Sequence, residues 1–361
     1  MSIFNNKCCC GKYKINSLEE NKTLSPLNQN SLNEQESIKL IFNFEHKLGS
    51  SQSEFRDNTV YHAYWKNGNK CVALKVSRYD TPERKRFIKR ELHVLQHFAR
   101  VPIHDKDRII NMIGSQLIEE TLTTLNGQES RTNFMYFALE LGGKDLHSYF
   151  VEKTKKRGVN KEEFLIKIAR GSALSIKQFH RHGIHLDIKA NNFIVSLQQN
   201  NFKKEIKLKL IDFNTSVITS NAEISTKVHG LKKFRAPEIR GENPQGFKVN
   251  RKVDIWAFGL MIYGLYKKKG DEEQPNDREL INSVRMSLGD YTELDNELRE
   301  YLSNTESNSF LDRVIKGCLQ LEVDIRPSIN AIVDFLNEEC NGFEYEREFL
   351  NNEDIKWCNE N

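Results

Sequence analysis

From Ile41 to about residue 141 most of the chain is short runs rich in β-branched and aromatic residues, and from Asp145 onward helical patterns take over. This single change of period is the strongest constraint on its fold, because strands followed by helices imply an α+β protein with two lobes. Residues 41–49, 59–65 and 70–77 are separated by polar turns such as Lys66-Asn67-Gly68-Asn69, the pattern of an antiparallel meander. Residues 82–98 read as an amphipathic helix with Phe87, Leu92, Leu95 and Phe98 on its apolar side, and 109–118 and 133–141 as strands completing a small sheet. Helical patterns cover 161–181, 249–269 and 309–320, and no internal repeat is present.

Composition narrows the class. The 361 residues carry 54 basic and 50 acidic side chains, a net charge of +4, which gives no reason to expect nucleic acid as a partner. No stretch approaches the ~18 apolar residues that span a bilayer, and the start lacks the apolar core of a signal peptide. The expectation is a cytoplasmic protein, with membrane-associated or nuclear locations as alternatives. A reducing compartment is the default, and seven cysteines, an odd count that cannot pair fully within one chain, do not make a disulfide framework. Oligomeric state is not legible.

Residues 1–38 are polar and aperiodic and are expected to form a disordered tail. Within them stands Cys8-Cys9-Cys10, flanked by Lys7 and Lys12. Three readings are open: an unmodified triplet, S-acylation that would bring the tail to a membrane, and a metal-binding thiolate cluster, disfavoured because the C-x-x-C spacing is missing. Ser2 excludes N-myristoylation, which needs glycine there. After Asn341 the acidic stretch 341–361 reads as a tail or docking segment.

Val72-Ala73-Leu74-Lys75 ends a strand run, Glu91 lies mid-helix, and His185-Leu186-Asp187-Ile188-Lys189-Ala190-Asn191-Asn192 follows the helix that ends near His180. Leu210-Ile211-Asp212-Phe213-Asn214, Ala236-Pro237-Glu238 and Asp254-Ile255-Trp256-Ala257-Phe258-Gly259 come next, in that order. Together they resemble the signature set of the eukaryotic protein kinases. The resemblance implies a bilobal kinase domain over 39–340, with an antiparallel N-lobe and one helix at 39–141 and a larger helical C-lobe at 142–340. It also implies ATP and Mg2+ as cofactors and proteins as substrates. Short-hinge sequence Leu139–Leu146 and Asn192-Phe193 are similar to the dual-specificity kinases of the spindle checkpoint.

Phosphoryl transfer needs counter-charge for phosphates, oxygen ligands for magnesium and an acceptor for the hydroxyl proton. Lys75 held by Glu91 supplies charge to the α- and β-phosphates, Asp212 and Asn192 match the metal ligands, Asp187 takes the proton, and Lys189 steadies the transferring group. The resemblance adds nucleotide contacts at Gly49, Val60, Ala73, Glu140 and Leu141. Taken singly, each residue also has an ordinary reading: Lys75 and Glu91 as a surface ion pair, Asp187 and Asn192 as turn formers, Asp212 as the end of a strand. Glu238 and Arg326 match a buried structural ion pair, Asp254 a residue that hydrogen-bonds the catalytic loop, and His185, Phe213 and Leu95 a hydrophobic stack.

Four departures matter. Residues 48–61 keep one glycine, Gly49, and bring in Glu54 and Asp57, so weaker ATP binding is expected. Asn214 stands where the family has glycine and is expected to tolerate positive φ. Leu186 replaces the arginine that gathers an activation-loop phosphate, so phosphorylation of Thr215, Ser216, Thr219, Ser220, Ser225 or Thr226 is not expected to be required. Leu231 follows Gly230 where Ser/Thr kinases have threonine. Lys189 points to Ser/Thr acceptors, and Lys227, Lys232, Lys233 and Arg235 have two readings, a preference for acidic substrates or simply a solvated face. A pseudokinase scaffold is the alternative function, and transfer to a small molecule or nucleotidyl transfer a third, with Asp187 arguing against the latter.

Overall fold

Alternation of inward apolar and outward polar side chains shapes the first part of the chain. The computed structural model describes residues 8, 10, 13, 20–26, 37–50, 58–123, 126–199, 204–229, 232–267, 289–304, 308–350 and 353–360. The chain divides into two units, Met1–Asp105 with Ile110–Gly142, and Lys106–Ile109 with Gly143–Asn361.

The first unit holds β1 (Glu20–Pro26), β2 (Ile38–Ser50), β3 (Thr59–Trp65), β4 (Lys70–Arg78), β5 (Met112–Thr123) and β6 (Glu129–Glu140). They form a closed barrel in the order β1-β2-β3-β4-β6-β5. Leu24, Leu40, Phe42, Tyr61, Ala63, Leu74, Val76 and Tyr136 are among the side chains that fill it. The expected small antiparallel sheet is thus closed, and its closing strand comes from the segment expected to be disordered. β1 pairs with β2 (Lys22↔Leu40) and with β5 (Ser25↔Ser115). Leu24, 1% exposed, is the anchor. One inward leucine among polar residues gives almost no periodic signal, yet the strand covers the open edges of β2 and β5.

Helix α1 (Pro82–Arg100) starts at Thr81, whose hydroxyl accepts from the Arg84 amide, with proline in its first turn. Its buried stripe is Ile88, Glu91, Val94, Leu95 and Phe98, so Phe87 and Leu92 flank the packed face. A carboxylate in the middle of that stripe requires a partner.

The second unit contains α2 (Leu146–Thr154), α3 (Lys161–His180), α4 (Lys252–Lys267), α5 (Thr292–Ser303), α6 (Phe310–Cys318) and α7 (Ile329–Leu336). Three two-stranded ribbons accompany them: β7 (Gly183–Ile184) with β10 (Val217–Ile218), β8 (Phe193–Val195) with β9 (Leu208–Leu210), and β11 (Glu223–Thr226) with β12 (Phe247–Asn250). α4 is apolar on nearly every side and forms the core, as a helix without a polar face must. At Gly259 an added Cβ would lie 2.5 Å from Cys318 Cβ, so α4 and α6 meet only because that residue is glycine. Arg170 of α3 reaches the Leu336 carbonyl at the end of α7 and the Lys204 carbonyl.

The end of the chain is packed rather than a free acidic tail. Cys340 and Cys358 form a disulfide, a pairing that the default of a reducing compartment does not anticipate. Phe343 stacks on Phe335, and the fully buried Glu346 takes a two-pronged ion pair from Arg313 at 2.7 Å. Acidic composition misled here because Glu346 and Glu360 are hydrogen-bond acceptors for the domain, Glu360 accepting from the Ser328 amide at 2.6 Å.

Candidate active site

In the first unit, strand alternation decides where Lys75 points. Leu74 and Val76 face the barrel interior, so Lys75 and Ala73 emerge on the outer face, with Val60 directly opposite Lys75 in β3. Lys75 Nζ meets Glu91 Oε1 at 2.6 Å, and their side chains are only 10% and 4% exposed. This is a buried pair, not a loose surface one. Gly49 pairs with Val60, and an added Cβ there would meet nothing within 4 Å. Glu140 pairs with Val72 and gives its carboxylate to the Asn111 amide at 2.9 Å, with Leu141 next along the chain. Residues 51–57 of the glycine-poor loop lie outside the described residues.

In the second unit the loop after α3 is fixed from below by Asp254, in the first turn of α4. Its carboxylate accepts from the amides of His185 (2.7 Å) and Leu186 (2.8 Å) and bonds His180 Nε2 at 3.0 Å. Burial alone would raise the Asp254 carboxyl, but the bonds from His180 and the His185 amide outweigh it and hold it below the usual range. The clamp also holds Leu186 at φ +66°, a left-handed conformation costly for leucine. Loop residues are thereby placed. Lys189 Nζ donates to Asp187 Oδ2 at 2.6 Å, and Asn192 Nδ2 donates to Asp187 O at 2.8 Å and Oδ2 at 2.9 Å. The Ile211 amide donates to the Asn192 carbonyl at 2.9 Å, tying Asp212 to the same loop.

Positive φ falls on Asp212 (+64°), and Asn214 is not among the left-handed residues. The family's glycine position therefore makes no conformational demand that asparagine fails to meet. Phe179, His185 and Phe213 form a ring stack with centroids 5.4–5.5 Å apart, adding Phe179 to the expected set, while Leu95 is buried within the first unit. Burial pushes the His185 pKa down despite nearby Asp254 and Asp187, consistent with a packed neutral ring. Glu238 and Arg326 form the expected ion pair at 2.7 and 2.9 Å, with Arg326 wholly buried.

The segment after Phe213 is held by its own hydroxyls. Thr215 and Ser216 are buried and donate to the His185 carbonyl at 3.2 and 3.0 Å, and β11 hydrogen-bonds to β12. Gly230 and Leu231 lie outside the described residues. Of the cysteine triplet, Cys8 is 3% exposed and unavailable to a lipid transferase, Cys10 is partly buried, and Cys9 is outside the described residues. Sequence reasoning missed what encloses these thiols, His62 and Cys71, whose signal was a shared face of one hairpin. No helix among the described residues is long and apolar enough to cross a membrane.

Comparison with known proteins identifies the family. A family model described as "Protein kinase domain" matches residues 42–335. The RGS domain-containing serine/threonine-protein kinase A of Dictyostelium discoideum is 26% identical over 174 residues, 48% of this chain and 13% of that protein. Calcium-dependent protein kinase 22 of Arabidopsis thaliana is 24% identical over 234 residues, 63% of this chain and 41% of its own length. The serine/threonine-protein kinase Nek2 of Homo sapiens is 25% identical over 227 residues, 61% of this chain and 44% of that protein. The chain thus spans less than half the length of these curated relatives.

Proposed function

The chain belongs to the protein kinase domain family, and on that premise we propose that it transfers the γ-phosphoryl group of Mg·ATP to serine or threonine hydroxyls of protein substrates. The observation that carries this reading is the Asp187 carboxylate. Its Oδ2 is occupied by Lys189 and Asn192, while among the described residues no hydrogen bond goes to Oδ1. A substrate hydroxyl donating to Oδ1 is oriented for attack and can pass its proton there. Lys189 Nζ stands beside that carboxylate with a positive charge for the transferring group.

The donor set fits a hard cation. Asn192 spends its Nδ2 on Asp187, which leaves Oδ1 as the atom it offers, and Asp212 adds a carboxylate. These two would hold Mg2+, which when bound would neutralise phosphate charge. Lys75, oriented by Glu91, supplies charge to the α- and β-phosphates. Gly49, Val60, Ala73, Glu140 and Leu141 are assigned to the nucleotide. The serine/threonine class is supported by the names of the relatives and by Lys189. Lys227, Lys232, Lys233 and Arg235 support acidic substrates, and a cytoplasmic location belongs to the same proposal.

A second reading, a nucleotide-binding scaffold without transfer, is favoured by the single glycine in 48–61. Phosphate transfer from radiolabelled Mg·ATP to the chain itself and to generic proteins separates the two. Transfer by the wild type that is lost in both Asp187→Asn and Asp212→Asn establishes the kinase. Nucleotide that raises the melting temperature without any transfer establishes the scaffold.

A further inference from the structure

His62 and Cys71 are on the wrong side of the barrel to be buried by it. Tyr61, Ala63 and Val72 point into the core, so His62 and Cys71 point out. The register Tyr64↔Cys71 and His62↔Ala73 makes them diagonal neighbours on one face of the β3–β4 hairpin. Yet they are only 1% and 7% exposed. Their cover includes Cys8, Cys10 and Tyr13. Tyr13 stacks on His46 with centroids 4.1 Å apart and lies tilted against His62 at 4.4 Å, and its carbonyl accepts from the Cys8 amide at 2.8 Å.

That arrangement brings four metal-binding atoms together from three places in the chain. The sulfurs of Cys8, Cys10 and Cys71 and a ring nitrogen of His62 all lie within 4.8 Å of one another. Cys8 Sγ to Cys10 Sγ is 3.1 Å, Cys10 Sγ to His62 Nε2 is 3.3 Å, and Cys8 Sγ to His62 Nε2 is 3.8 Å. A tetrahedron with Zn–S of about 2.3 Å and Zn–N of about 2.0 Å has S···S edges of roughly 3.8 Å and S···N edges of roughly 3.5 Å. The S···N separations of 3.3 and 3.8 Å fall on either side of that edge, and the Cys8 and Cys10 sulfurs at 3.1 Å are closer than an S···S edge. They are also well beyond a disulfide bond of about 2.05 Å. The Cys10 amide points at Cys71 Sγ, 3.4 Å away, the kind of outer hydrogen bond that supports a thiolate ligand.

We propose that Cys8, Cys10, His62 and Cys71 form a structural Zn2+ site that fastens the N-terminal segment to the outer face of the barrel. Three cysteines and one histidine are a closed structural zinc set with no position left for water. On binding, the three thiols release their protons to solvent, and His62 donates its Nε2 lone pair while its ring proton stays on Nδ1. The complex of Zn2+ with three thiolates and a neutral imidazole carries one net negative charge. Its ligands are separate from the residues given to phosphoryl transfer, although His62 pairs with Ala73 across β3 and β4 on the same face. Its cation is soft-ligand-bound, whereas the Asp212–Asn192 pair offers only hard oxygens.

Metal analysis of the full-length chain, purified in zinc-supplemented buffer and dialysed against a mild chelator, tests the assignment. One equivalent of zinc per chain is expected, falling by about tenfold or more in Cys10→Ser and Cys71→Ser. Cys8→Ser and Cys10→Ser change a segment outside the barrel core, so loss of metal there cannot be ascribed to an unfolded barrel. Replacing zinc with Co2+ should give intense thiolate-to-cobalt charge-transfer bands that weaken in each single variant. Wild-type protein that keeps no zinc after reloading would overturn the assignment. So would zinc content identical in wild type, Cys8→Ser and His62→Ala, or a cobalt spectrum without thiolate bands.

Discussion

Replacing Glu91 by glutamine should separate what the Lys75–Glu91 pair does for the fold from what it does for activity. The two groups are 2.6 Å apart with side chains 10% and 4% exposed, so the substitution leaves an ammonium in a site largely closed to water. Breaking a buried pair from one side costs about 3–5 kcal/mol. With about 2.1 cal/mol/K of unfolding entropy per residue, a domain of about 300 residues shifts by roughly 1.6 °C per kcal/mol, so a loss of about 3 kcal/mol lowers the melting temperature by about 5 °C. Replacing both partners by apolar residues of similar length, Lys75→Met with Glu91→Leu, removes the charges together and should recover most of that loss. Thermal unfolding and radiolabel transfer are measured on the same three proteins. The expected pattern is a destabilised, inactive single variant and a stable, equally inactive double variant. A double variant as unstable as Glu91→Gln would refute the electrostatic argument, and transfer surviving in the double variant would refute the role given to Lys75.

Other tests address different parts of the molecule. Cys340→Ser opens a loop with a sequence separation of 18 and should cost about 3 kcal/mol by loop entropy; unchanged denaturant stability would contradict it. Asp254 is held below its usual value, so its contribution is complete above the unfolded value of about 3.9 and is lost as pH falls through the folded one. His185, lowered by burial, likewise contributes fully above about 6.5 and less as pH falls through its folded value. The melting temperature should therefore drop on acidification, and His185→Tyr should flatten the upper part of that slope; an unaltered slope would exclude His185 as its source. Thr215 and Ser216 are buried and bonded to the His185 carbonyl, so phosphatase treatment should leave transfer unchanged, and abolished transfer would show that a phosphate is needed.

Elements whose periodicity is carried by their own apolar residues were legible in the sequence. β3 and β4 lie within a residue of their expected limits, and α3 spans Lys161–His180 against an expected 161–181. The candidate catalytic loop was legible for the same local reason, since Asp187, Lys189 and Asn192 are close in sequence and interact with one another. What escaped detection depends on long-range pairing. β1 is defined by its two neighbouring strands, with a single deeply buried leucine of its own. Glu346 looks like part of an acidic tail until Arg313 is brought to it. His62 and Cys71 each look like an ordinary strand residue, and only the hairpin register and the distant Cys8 and Cys10 turn them into a ligand set.

The Cys340–Cys358 bond has a consequence for how the chain end responds to cleavage. Everything between the two cysteines, including Phe343, Glu346 and Trp357, lies within a covalent ring. A protease that nicks the backbone inside this ring releases no fragment, because the downstream piece stays joined through sulfur. Glu360 would also keep its bond to the Ser328 amide and its ion pair with Lys252. Such a nicked molecule would run as one species on a gel without reductant, and would shed its last residues only when reductant is added.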